Sequence, residues 1–344
     1  MIEPRNILIV QTAFLGDVIL TLPLAQALKR RFPSSRIALV VVPAAAELLM
    51  NHPAVDLPVI FDKRERDRGA GGLLRLAREL RKHNFDMAFV PHRSLRSAAL
   101  VRLARVGLRI GFDRSSGRFL FNRVVHYEAS WHEVRRNLSL LSALAIEPPE
   151  MEFPELYPGP SDEEAALGVL STGGIAGVDR PVALAPGTVW NTKRWPRERF
   201  AETARRLASS GQPVVLIGGR DDRELCEWIV REAAVRGVIS SAGKLSLLGS
   251  AALLRRSALL VSNDSAPVHL ALAVRTPVIA IYGATVPGFG FAPYGGRDRI
   301  VETNGLPCRP CSIHGGDVCP VKTFVCMANI SSERILEEIR TVLT

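Results

Sequence analysis

Three short stretches carry the residue types that handle anions and move protons. The first is Gly16-Asp17, which follows an apolar run at 6–10. Gly16 lets the backbone turn tightly. A carboxylate placed where a strand ends and a helix begins reads either as a cap on orphan N–H groups or as a general base taking a proton from a hydroxyl. The second stretch is 185–196, APGTVWNTKRWP. Its Pro-Gly turn exposes backbone N–H groups, Thr188 and Thr192 add hydroxyls, and Lys193 and Arg194 add charge. Pro196 suits the first turn of a helix. Such a set fits a phosphate, with a basic surface loop as the simpler alternative. Lys193 is also one of only six lysines. The third stretch is 261–269, VSNDSAPVH. Asp264 and Ser265 precede a helix opened by Pro267. They either cap that helix or orient a diphosphate at its positive end. His269, one turn in, is a core histidine or a ligand contact.

Other chemistry is excluded or open. The chain lacks the glycine fingerprint of dinucleotide binding, the phosphate-loop motif of nucleotide hydrolases and the nucleophile elbow of serine hydrolases. With no Asp-x-Asp near a strand end, a metal clamp on a diphosphate is not evident, so cations and helix dipoles would have to stabilise a leaving group. Of five cysteines, four cluster late as Cys308-x2-Cys311-x7-Cys319-x6-Cys326. Their irregular spacing leaves a zinc knot, a redox patch and plain packing open, with packing or an incidental cluster favoured.

The elements that must position these residues alternate along the chain. Apolar runs at 6–11, 37–42 and 87–90 predict strands, and 18–32, 73–83 and 95–106 have helical spacing. Five prolines at 148–160 form a linker. The alternation then restarts: strands at 182–185, 213–217, 258–262 and 278–282, helices at 197–209, 222–235, 267–274 and 333–343. The reading is an α/β protein with two Rossmann-like halves, parallel sheets and a functional cleft between them. Domains are expected at 1–155 and 161–330, with a closing helix at 331–344. Ligands in such sheets bind beyond the carboxyl ends of the strands, where all three stretches fall.

Of 344 residues, 1–150 hold 23 Lys+Arg against 14 Asp+Glu, or +9, and 151–344 hold 21 against 20, or +1. A field of that sign favours an anionic partner: nucleic acid, a phosphorylated glycan or an anionic membrane surface. No apolar run reaches the roughly 20 residues of a membrane span. The N-terminus does not read as a signal peptide, so a cytoplasmic protein is expected.

Together, Asn6 to Val10, Phe14 to Val18, Pro186 to Thr188, Thr192 to Pro196 and Asn263 to His269 resemble glycosyltransferase family 9, the heptosyltransferases of lipopolysaccharide inner-core synthesis. The TKRWP stretch and the late cysteine run are most similar to the second heptosyltransferase of that pathway. The resemblance implies a GT-B fold, with acceptor on the first domain and nucleotide sugar on the second. It implies inverting transfer of L-glycero-D-manno-heptose from ADP-heptose, with no required metal or other cofactor. Residue by residue it implies Asp17 as base, with Gly16 beside the acceptor. Thr188 and Lys193 would contact the donor phosphates, and Lys244 and Leu245 would lie near the adenine. Asp264, Ser265, Ala266 and His269 would form the second phosphate and sugar loop, although Ala266 stands where glycine is usual. The acceptor would be phosphorylated Kdo-lipid A at the cytoplasmic face of the inner membrane, which gives the +9 half an anionic partner. His92, Arg93 and Arg96 read as acceptor contacts or as ordinary surface. Other family 9 transferases, acting at the first or third heptose or on another sugar, remain alternatives. So does a non-catalytic nucleotide or RNA binder, although the chain has no basic stripe interleaved with aromatics and nucleic acid is not expected.

Overall fold

A computed structural model describes residues 3–175 and 179–344. The chain divides into two compact units, Met1–Tyr157 and Pro158–Thr344. The first contains β1 (Asn6–Val10), α1 (Leu15–Ile19), α2 (Leu22–Arg31), β2 (Arg36–Val41), β3 (Leu57–Ile60), α3 (Gly69–Arg81), β4 (Met87–Val90), α4 (Leu95–Leu103), β5 (Leu108–Phe112), β6 (Arg123–Val125) and α5 (Glu133–Ser139). The second contains α6 (Pro160–Thr172), β7 (Val182–Ala185), α7 (Arg197–Ser209), β8 (Val214–Leu216), α8 (Arg223–Ala233), β9 (Val238–Ser240), α9 (Leu247–Arg256), β10 (Leu259–Asn263), α10 (Ala266–Ala273), β11 (Val278–Tyr282), β12 (Arg299–Glu302), α11 (Val325–Ala328) and α12 (Ser332–Leu343).

Each unit is built on one six-stranded sheet. The orders are β3-β2-β1-β4-β5-β6 and β12-β11-β10-β7-β8-β9. Every pairing is parallel. Numbered within its own unit, each sheet runs 3-2-1-4-5-6, so the doubly wound plan occurs twice. Central strands such as β1, β7 and β11 are buried along nearly their whole length, which is why they read as continuous apolar runs rather than alternating ones. Val182, Leu184, Val261, Ile279 and Ile281 form the second unit's core with Phe200 and Trp195. Leu8, Val10, Val40, Val90 and Phe61 hold the first.

The helix expected over 18–32 is two helices. Pro23 has no N–H and is tolerated only in a first turn. The chain therefore stops at Ile19 and restarts at Leu22, with Pro23 in the opening turn of α2.

Candidate functional sites

In a doubly wound sheet the order reverses at one place, and the loops there diverge to leave a crevice. In the first unit that place lies between β1 and β4, and in the second between β7 and β10. The chemistry-bearing loops sit at both.

In the first unit, Thr12 after β1 meets His92 after β4: Thr12 Oγ1 lies 3.0 Å from His92 Nδ1, and Ser97 Oγ lies 2.9 Å from the same nitrogen. Burial, reinforced by the Lys63 and Arg93 charges, lowers the His92 pKa to about 4. The imidazole is therefore neutral at pH 7. Lys63 donates to the Thr12 carbonyl and reaches Thr12 Oγ1 at 3.3 Å. Burial, with Arg96 and Arg64 nearby, lowers its pKa. No sequence argument picked out Lys63, though its rarity is the signal that singled out Lys193. Arg93 stacks 4.2 Å from the Tyr127 ring centre and Arg96 4.8 Å from that of Phe61. Arg96 also donates to the Asp67 and Gly69 carbonyls, so part of its donor set holds the loop before α3.

Of the two readings of Asp17, the cap is met only in part: Asp17 is not in the cap position, but its carboxylate reaches back to the N–H there. Helix α1 starts two residues earlier, at Leu15, with Phe14 in the cap position. Asp17 is the third helical residue, and its carboxylate accepts the Phe14 N–H at 3.2 Å. Gly16 lies inside α1 and is not in the left-handed region, so the tight turn expected there is absent. Beside Asp17 stands a group the sequence did not reveal. Glu133, 7% exposed, pairs with Arg136 at 2.9 Å. Burial, followed by the Asp17 charge, raises its pKa to about 7. Helix α5, which carries Glu133, is docked on the α1–α2 corner by Asn137. The Asn137 amide donates to Leu20 O at 3.1 Å and Thr21 Oγ1 at 3.3 Å.

In the second unit the loops after β7 and β10 interlock. Asn263 donates to Pro186 O at 2.8 Å and accepts the Trp195 N–H at 3.0 Å, which fixes both ends of 186–195. Lys193 Nζ lies 2.6 Å from Asp264 Oδ2. Thr285 Oγ1 donates to that same oxygen at 2.6 Å. Ser265 occupies the cap position of α10 without bonding its backbone; its hydroxyl donates instead to Gly187 O at 3.4 Å and Asn263 O at 3.3 Å. Asp264 is likewise no cap, because its carboxylate is turned to Lys193 and Thr285. Ala266 opens α10. Burial holds the His269 pKa near 4, despite Asp264, and Nδ1 has no hydrogen-bond partner among the described residues. Burial and the Asp264 charge push the Tyr282 hydroxyl well above its usual pKa. Thr188 leads this loop, and its carbonyl accepts Arg194 Nη2 at 2.8 Å. Lys244, exposed, and Leu245, half-buried, follow β9 at the sheet's far edge, where Lys244 Nζ donates to Ser240 O at 2.8 Å.

Among the described residues the four late cysteines are not drawn together as a zinc knot. All four late cysteines are free thiols, and among the described residues no three His, Cys, Asp or Glu side chains group to hold a metal. Cys311 instead uses its thiol on the Cys308 carbonyl at 3.3 Å and its N–H on the Ala284 carbonyl at 2.9 Å.

Residues 73–317 match glycosyltransferase family 9 (heptosyltransferase). Lipopolysaccharide heptosyltransferase 2 of Salmonella typhimurium is 26% identical, over 98% of this chain and 99% of its own. Lipopolysaccharide heptosyltransferase 1 of Pseudomonas aeruginosa is 30% identical, over 89% and 86%. The solved structure of the Escherichia coli ADP-heptose lipopolysaccharide heptosyltransferase II superposes with a TM-score of 0.78 at 25% identity, covering 98% of each chain.

Proposed function

This chain belongs to glycosyltransferase family 9 and has the GT-B fold, and we propose on that premise that it moves L-glycero-D-manno-heptose from ADP-heptose to the phosphorylated inner core on Kdo-lipid A, as heptosyltransferase II does. Membership in an enzyme family sets aside the non-catalytic nucleic-acid binder. The observation that carries the reading is the Lys193–Asp264 pair at the β7/β10 reversal. A cation and the start of α10 meet there at the end of a parallel sheet, where a diphosphate is stabilised.

In this reading residues 161–330 bind the donor and residues 1–155 the acceptor, with 331–344 closing the chain as a helix. Asp17 takes the proton of an acceptor hydroxyl, whose oxygen attacks the anomeric carbon from the face opposite the nucleotide. The new C–O bond forms as the bond to the β-phosphate oxygen breaks, and ADP leaves with that electron pair. Lys193, Thr188 and Ser265 offset the growing phosphate charge. Asp264 and His269 orient the sugar, and Lys244 and Leu245 flank the adenine. No metal is needed, because Lys193 and the α10 N-terminus supply the positive potential. Lys63, Arg93, Arg96 and neutral His92, beside Gly16, receive the anionic acceptor.

No helix among the described residues is long and apolar enough to cross a membrane. The +9 charge on the first 150 residues supports peripheral binding at the anionic cytoplasmic face of the inner membrane. The heptosyltransferase 1 relative favours a second reading, transfer of the first heptose. Turnover of ADP-heptose with Kdo-lipid A, with and without the first heptose, separates the two. Transfer only onto the heptosylated acceptor supports the second-step assignment, and transfer onto bare Kdo-lipid A overturns it. Product anomer analysis by NMR tests inversion.

A further inference from the structure

The cysteine-rich segment is not used by the reaction above, yet it packs on Lys193 and reaches Asp264 through Thr285, and we infer that its Arg309 is a positioning residue for the donor site. An arginine side chain only 6% exposed must find partners for its five N–H donors. Arg309 finds them on two loops. Nε donates to Gly283 O and Nη2 to Thr285 O at 2.8 Å, both after β11. Nη1 donates to Thr303 O at 2.6 Å, and Nη2 to the Glu302 carboxylate at 2.8 Å, both at the end of β12. The planar fork thus fixes one loop against the other.

The gripped backbone is that of Thr285, whose buried hydroxyl donates to Asp264 Oδ2. That oxygen is also the one Lys193 binds. Arg309 therefore acts on the ion pair through one intermediary, Thr285. The same segment reaches the pair from the other side. Gly316 N donates to Thr192 Oγ1 at 2.8 Å, and Thr192 N returns a bond to Gly316 O at 2.9 Å. Gly315 sits at φ +90°, and a Cβ there would lie 3.0 Å from Lys193 Cγ. Residues 309–316 thus hold the lysine stem and, through Thr285, the carboxylate. Lys193 cannot shift without disturbing a segment more than 110 residues away.

This inference rests on the donor reading, and its test separates the two. ADP binding is measured by calorimetry for the intact chain and for Arg309→Met, Arg309→Lys, Thr285→Val and the double variant R309M/T285V. Transfer kinetics are measured alongside, varying donor and acceptor in turn. ADP failing to bind the unaltered protein overturns the donor reading itself. Positioning predicts that R309M and T285V each raise Kd for ADP and the donor KM about tenfold, the equivalent of roughly 1.4 kcal/mol. The acceptor KM holds, and the double variant is little worse than either single one, because both act through one hydroxyl. R309K keeps the charge but not the fork and recovers only part of the loss. A merely structural staple lowers Tm with ADP affinity and both KM values unchanged, and that result overturns the inference. If R309M does not fold, R309K and T285V decide the matter on the same readouts.

Discussion

Lys193 and Asp264 close a 2.6 Å ion pair with side chains only 13% and 12% exposed. With water largely excluded, removing one partner strands the other charge, at a cost of roughly 3 kcal/mol. K193M and D264N should each destabilise the chain by about that much in urea unfolding, and K193M/D264N by clearly less than the sum. In the proposed reaction Lys193 must be shared between Asp264 and a diphosphate. D264N removes the carboxylate that holds the lysine in place, so it should bind ADP more weakly as well as transfer heptose far more slowly. ADP binding by D264N as tight as that of the unaltered protein would show that the carboxylate competes with the phosphate rather than positioning Lys193.

Asp17 carries the proton-transfer proposal, and positioned general bases contribute about 10² to 10⁴ in rate. D17N should lose turnover within that range and keep its fold, because the amide oxygen still accepts the Phe14 N–H. Near-normal turnover with a normal circular dichroism spectrum would remove Asp17 from the role.

Glu133 makes stability depend on pH. Burial and the Asp17 charge raise its pKa from 4.5 to about 7. Between those values the folded chain holds a proton that the unfolded chain has released. Stability from this group is therefore full below about 4.5 and falls as pH rises through 7, by at most about 1.4 kcal/mol per unit. Glu133 faces Asp17, Arg136 and Arg93, and all three side chains are retained in E133Q. The stability of E133Q relative to the unaltered chain should rise from pH 5 to pH 8, its free energy of unfolding increasing by comparison. A pH-independent difference would mean that Glu133 is ionised throughout.

Three histidines, two of them buried and His92 half-buried, slope the other way. Desolvation brings His52, His92 and His269 down to about 4 from 6.5. Between those values the unfolded chain binds more protons, so this stability is present above 6.5 and is lost as pH falls toward 4. Their ring resonances in an NMR titration should stay flat from pH 8 to about pH 5. A midpoint near 6.5 for any of them would show that its ring is solvated.

Gly187 has no room for a side chain. A Cβ there would stand 2.1 Å from Asp222 Oδ1, and Asp222 is held by the Gly219 N–H at 2.9 Å. G187A should cost about 1–3 kcal/mol, as overpacking does. D222A added to G187A should cost less than D222A alone. Additive losses in the double variant would locate the strain elsewhere.

Much of this architecture is legible in residue order. The runs at 87–90, 182–185 and 278–282 and the amphipathic stretch at 197–209 form the strands and helix expected over those residues. Continuous apolar runs between turn signals leave few alternatives. β6 and β9, three residues each, are too short to show a period. β5 is masked by Arg109 and by Gly111, where the Phe121 ring fills the space of a Cβ. At the sites, Asp17, Lys193 and Asp264 stood out because strand ends and turn residues mark them locally. Lys63, Glu133 and Arg309 did not. Each gets its setting from partners tens of residues away: Lys63 from Thr12, Glu133 from Asp17, Arg309 from Gly283. Nothing in their own neighbourhoods announces it.

The strand order that occurs twice separates two problems of molecular recognition. Among the described residues no strand of one sheet pairs with the other, so each reversal point is built from the backbone of its own unit. Under the proposed division of donor and acceptor between the units, a lineage can keep one activated sugar while its choice of glycan drifts. Exchange of the first 150 or so residues between relatives is then the natural way to transplant a linkage without rebuilding the machinery that activates the sugar.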